Sequence, residues 1–199
     1  MLWRHILGFF IHPLREWEAV RGEDASLARI LRHIFILGAI PVVSGYIGTT
    51  EFGWQIGTAE TVRLTHFSAG IIALLYYAVI FCAVFSVGWM IHWMGQTYGA
   101  AQTLTRCIVL AAYIPVPLFL VGVAQLYPAL WLNLLIGIPA AAYTVFLLYI
   151  GIPIMMNIPA ERGFLFASAV LAFGLVGLVG VLAATVVLWS LGAGPVFTS

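Results

Sequence analysis

Positions 1–24 mix apolar and polar residues at helical spacing, whereas most of positions 27–191 do not alternate at all. In the first stretch Trp3, Ile6, Leu7, Phe10, Leu14 and Trp17 recur at steps of three and four, and Arg4, His5, His12, Arg15, Glu16 and Glu18 take much of the remainder. Such a stripe predicts a helical segment with one apolar face. Pro13 breaks it into two pieces, suits the first helical position of the second, and is followed by Gly22 where that piece can end. The segment is expected to lie in the membrane interface rather than to cross it.

Beyond it, five runs are long and apolar enough to cross about 30 Å of hydrocarbon, which takes about 20 helical residues. They run from Leu27 to Gly48, His66 to Met94, Thr103 to Gln125, Ala129 to Gly151 and Phe164 to Leu191. The expected architecture is an all-α membrane protein: residues 1–24 as an N-terminal interfacial segment and residues 25–199 as a five-helix membrane domain. Trp54, Tyr98, Tyr127, Trp131 and Trp189 fall near the predicted ends, where amphipathic rings favour the headgroup layer. The first run is the shortest, with 17 residues between His33 and Glu51 and Pro41 among them. One way to fit it is for residues 48–54 to dip back toward the membrane.

Composition turns this pattern into a location. Hydrophobic residues make up 63% of the chain and charged ones 8%, whereas soluble domains carry about 45–50% and about 25%. So few charges cannot cover a water-facing surface, and lipid is the expected solvent. The eight positive residues are all arginines and the net charge is +1, which leaves no basic footprint for nucleic acid. Arg4, Arg15, Arg21, Arg29, Arg32, Arg106 and Arg162 fall on one side of the five runs and Arg63 on the other. By the positive-inside rule the N-terminus is expected in the cytoplasm and the C-terminus outside. The stretch at the N-terminus lacks a signal-peptide core and is read as part of the mature protein.

Prolines 115 and 117 interrupt the third run, Pro139 the fourth, and Pro153 and Pro159 flank its arginine-side exit. A proline inside a helix frees a carbonyl and bends the axis, which marks either a binding site or a kink in a packed bundle. Gly174, Gly177 and Gly180 lie on one slowly drifting face of the fifth run and predict a helix–helix contact.

The inventory for chemistry is thin. The chain has no Lys and a single Asp, at position 24, and no zinc helix motif, so neither a catalytic site nor a resident cofactor is expected. His5, His12, Glu16 and His33 are the best metal candidates, but Pro13 separates their registers and no cysteine joins them. Cys82 and Cys107 fall at different depths and are not expected to pair. No ionisable group stands out as deep in the membrane. The deeper polar residues are Ser44, Ser86, Tyr113, Asn133 and Thr144, of which Asn133 is the foremost candidate for holding a solute or another helix.

The stretches "HPLREWEAVRGE", "IPVVSGYIGTTEFGW", "YIPVPLFLVGVAQLYPALW" and "LLYIGIPIMMNI" together resemble the Yip family (Ypt-interacting proteins), in its bacterial inner-membrane, YohC-like branch. The match runs in order along nearly the whole chain. It implies a five-helix integral membrane fold with a cytoplasmic N-terminus. Eukaryotic relatives act in vesicle traffic and associate with prenylated small GTPases through a longer N-terminal region than this chain has. The bacterial relatives are described as transport proteins.

Two functional expectations follow. The first is a non-enzymatic, oligomeric inner-membrane protein that passes a small solute or ion, with His12, Glu16, Trp17, Glu51, Trp54, Tyr113 and Asn133 as solute or gating residues. The second is a membrane-organising scaffold that binds lipids or a membrane-protein partner through the N-terminal segment and the glycine face. In either case His12, Glu16 and Trp17 are expected to fold under the bundle if they gate it, and Glu16 to be fully solvated if they do not.

Overall fold

The computed structural model of the chain describes residues 2–54, 61–192 and 194–198, with side chains from His5 onward. Trp3, Arg4 and Glu60 therefore lie outside the described residues as far as their side chains are concerned. Two short helices, α1 (Leu2–Ile11) and α2 (Pro13–Gly22), precede α3 (Leu27–Ile47), α4 (His66–Gly95), α5 (Leu104–Tyr113), α6 (Val116–Val121), α7 (Leu130–Met156) and α8 (Ala160–Ser190). Five spans are long and apolar enough to cross a membrane, α5 and α6 with the following 3₁₀ turn (Gly122–Leu126) making up the third. Their bounds fall close to those read from hydropathy.

Local chemistry sets the ends. The side chains of Thr65 and Thr103 accept hydrogen bonds from the backbone of Ser68 and Arg106, capping the starts of α4 and α5. Asn157, in the left-handed region at φ 55°, ends α7 two residues before Pro159.

The third span is the hub. Two thirds of its most apolar stretch (67%) is buried, against 6% for the fifth span. Pro115 breaks it, and α6 starts on the far side of the break. Close approach of backbones holds neighbours to it: a Cβ at Gly88 would stand 2.8 Å from the Ile108 backbone, and one at Gly122 2.5 Å from Pro41. Bulk at either point would push α4 or α3 off the hub, so small residues set the packing distance here as they do between helices in lipid.

Residues 48–54 do not dip back. Gly48–Phe52 continue α3 as a π-helical turn, Gly53 turns the chain at φ 68°, and Trp54 exchanges backbone hydrogen bonds with Val62. At the same end, β1 (Arg63–Leu64) pairs antiparallel with β2 (Phe197–Thr198). The Val196 amide donates to the Ser68 hydroxyl. These contacts tie the far end of α8 to the start of α4.

Candidate functional site

The N-terminal segment does not lie flat beneath the bundle. α1 and α2 form an antiparallel hairpin around His12, and the hairpin runs up the side of α7. Pro13 takes the first position of α2. Beyond the turn, Trp17 is fully buried with its ring edge where a side chain at Gly151 would be: a Cβ there would stand 2.6 Å away. Phe9 meets Trp17 edge-on at 4.7 Å between ring centres. The Tyr143 hydroxyl donates to the Phe9 carbonyl at 2.7 Å, Phe10 stacks on the Tyr143 ring, and the Arg21 guanidinium donates to the Ile154 carbonyl. Contacts thus follow α7 in order from Tyr143 through Gly151 to Ile154.

A polar cluster holds the hairpin to α3. His5 meets the Glu16 carboxylate through Nδ1 and the Glu23 carboxylate through Nε2, the second at 3.1 Å. Each ring nitrogen of His5 thus faces a carboxylate, one from within α2 and one from just beyond it. Glu23 in turn pairs with Arg29 on α3. Glu16 is therefore half-buried and bound to a second helix, not solvated. His12, at the turn, is exposed and outside this cluster.

Above the cluster sit Tyr113 and His33, whose ring centres are 4.3 Å apart. Tyr113 also contacts His5 and Phe9. His33 is 1% exposed. The Ala112 backbone lies near it, yet neither ring nitrogen has a partner in hydrogen-bond geometry, and the same holds for Trp17 Nε1. Glu23, Arg29, His33, Arg106 and Tyr113, together with Ile30, Val109 and Met155, line a cavity of about 20 Å³, wide enough for one water. His33 is a fully buried ionisable residue six positions into α3, which the sequence marks only as a metal candidate. It was hidden by its neighbours Arg29 and Arg32, but it shares the buried stripe of Ile30, Ile34, Leu37 and Pro41, and that periodicity is the signal that finds it.

The remaining candidates do not join this site. Glu51 is exposed at the opposite end, and Trp54 is half-buried there against Phe197. Asn133 donates to the Tyr127 and Ala129 carbonyls just before the start of its own helix, so its amide nitrogen is taken up by the neighbouring backbone. Gly174, Gly177 and Gly180 are exposed, and a Cβ at any of them would meet nothing within 4 Å, so the predicted helix contact is not made within the chain. Gly174 and Gly177 instead line an apolar lateral void of about 950 Å³ between α4 and α8. Cys82 and Cys107 are free, one exposed and one buried. Among the described residues no three His, Cys, Asp or Glu gather as a metal group.

Comparison with known proteins agrees with this architecture. The chain is 40% identical over 189 residues to the inner membrane protein YohC from each of two strains of Escherichia coli, covering 94% of this chain and 97% of those proteins. No solved structure matches it. The model of the Yip1 domain matches residues 7–192, from within α1 to just past the end of α8, so most of the hairpin and the spans fall inside one matched unit and the chain belongs to the Yip1-domain family.

Proposed function

We propose that this protein is a membrane-organising scaffold that binds lipids or a membrane-protein partner, with its hairpin end in the cytoplasm. It is a polytopic inner-membrane protein of the Yip/YohC family. The reading assigns it no catalytic residue, metal or cofactor. The observation that carries it is the contrast between the two voids. The small one, between the start of α3 and α5 and reaching the exposed Asp24, has room for about one water, whereas the large one is apolar and opens sideways between α4 and α8. A permeation pathway needs a continuous polar lining through the bundle. Here the broken third span fills the centre with Val109, Tyr113, Val116 and Phe119, all buried.

Placement of the arginines supports the orientation, because Arg15, Arg21, Arg29, Arg32, Arg106 and Arg162 share the hairpin end and Arg63 lies at the other. The test is a pair of measurements on the purified full chain. Extraction in native membrane discs should retain a lipid or protein complement that differs from that of the bulk membrane. Reconstituted vesicles should show no solute or ion flux above empty ones. Flux above the background, abolished by blocking residues near Tyr113, would overturn the scaffold reading in favour of permeation.

A further inference from the structure

The hairpin does more than cover the end of the bundle. Phe9 and Phe10 meet Tyr143, the midpoint of the 27-residue α7, about 20 Å along the helix from Met156 at 1.5 Å per residue. A second helix gives a consistent level. Phe9 also meets Tyr113, the last residue of α5, and Gln102, just before α5, donates to the Met156 carbonyl and so levels the start of α5 with the end of α7. The turn of the hairpin therefore stands well inside the length that α5 and α7 present to hydrocarbon.

Polarity along the hairpin runs in the same sense. Leu7, Phe10, Ile11 and Leu14 surround the turn and are exposed at 61%, 46%, 65% and 57%, with the exposed His12 the one polar side chain among them. Arg15, Glu18 and Arg21, also exposed, follow in order toward the base. A water-facing hairpin would carry its charges at the tip. This one carries them where headgroups would lie, as an element seated in a membrane interface does.

We propose that α1 and α2 form a re-entrant wedge: its tip sits among the phospholipid acyl chains of the arginine-rich leaflet, and the protein is broader in that leaflet than in the other. Among the described residues the arginine-rich end carries the two arms of the hairpin in addition to the spans, α1 packed on α2 and α2 on α7, and the opposite end carries no such added helices. Each extra helix adds a cross-section about 10 Å wide. A body widened in one leaflet favours membrane whose curvature spreads that leaflet. Lipid packing is then the partner the hairpin reads, which gives the scaffold reading above a defined partner and rests on it for the biological consequence alone.

Two measurements on the full chain in phosphatidylethanolamine/phosphatidylglycerol vesicles test this. First, with Cys82 and Cys107 replaced by alanine, a single fluorophore is placed through Ile11→Cys or Glu18→Cys and quenched by spin-labelled lipids of known depth. Quenching at position 11 should be several-fold stronger from mid-chain labels than from headgroup labels, with the reverse at position 18. Equal headgroup quenching at both positions overturns the wedge. So does efficient cross-linking of two position-11 cysteines at high lipid dilution, which would make a second copy the occupant.

Second, copies with the arginine-rich end outward should be enriched several-fold in small vesicles over large ones. The double variant Leu7→Asn/Ile11→Asn, which touches neither Phe9 nor Trp17, should lose that enrichment. Sorting unchanged by the double variant overturns the proposal even where the lipid complement stays as the scaffold reading expects. Flux in the vesicles would instead sink the scaffold reading and leave the depth measurement standing.

Discussion

Trp17 and Gly177 both lie on faces of helices that the sequence marks for contact, and their surroundings are opposite. Trp17 is enclosed by Phe9 and the Gly151 notch, whereas Gly177 faces open space on a helix that is buried only in its first third, at Gly163, Phe166, Ala167 and Val170. In that first third α8 is well held: the Tyr149 and Ser168 hydroxyls are 2.8 Å apart and Tyr98 stacks on Phe166. The difference teaches that a glycine in a membrane helix has two meanings. Gly151 keeps a place free for a side chain from elsewhere in the chain, and Gly177 leaves its place to the membrane.

Substitutions should widen or close that contrast. Trp17→Ala empties the notch and should destabilise the protein by about 3–5 kcal/mol, read as the shift in unfolding midpoint in mixed micelles. Gly151→Ala approaches the same contact from the other side by forcing a methyl against the Trp17 ring. It should cost about 1–3 kcal/mol, and combining it with Trp17→Phe should cost less than the two single changes added together. Glu23→Gln leaves His5 and Arg29 each short of a carboxylate and should cost about 1–2 kcal/mol, with hydrogen exchange rising first in α1. At the other extreme, Gly177→Ala should change the midpoint by less than about 0.5 kcal/mol. A loss there as large as that at Gly151 would mean that α8 is covered after all, and its dependence on protein concentration would tell whether a second copy covers it.

The spans were legible because hydrocarbon demands long uncharged helices, and the scarcity of charge marks their ends with little ambiguity. The hairpin was legible as two helices but not in its position. The stripe through Ile6, Phe10 and Trp17 has the same spacing whether it rests on lipid or on another helix, and the residue that decides, Gly151, is one of 20 glycines. At Asn133 the reasoning erred for a local cause. An amide near a helix start can satisfy itself on backbone carbonyls, as it does here on Tyr127 and Ala129, and spacing does not reveal that. The polar cluster was half visible, since His5 and Glu16 attracted notice as metal ligands. Their true relation is a hydrogen bond across the hairpin, joined by Glu23 and Arg29 from outside the stripe.

The short ladder between β1 and β2 bears on how the molecule is made. The Thr198 hydroxyl reaches the Arg63 carbonyl across 135 residues of chain, so this junction joins a segment that emerges early in synthesis to one that emerges after every span. Until then α8 is held to the rest of the bundle by its first third. Insertion of the helices and closure of the fold are therefore separate events in time, and the second waits on a few residues beyond α8. A fusion or truncation that disturbs residues 194–198 should leave all five spans inserted and the β1–β2 ladder unmade, a defect that membrane extraction would miss and protease access to the segment around Arg63 would reveal.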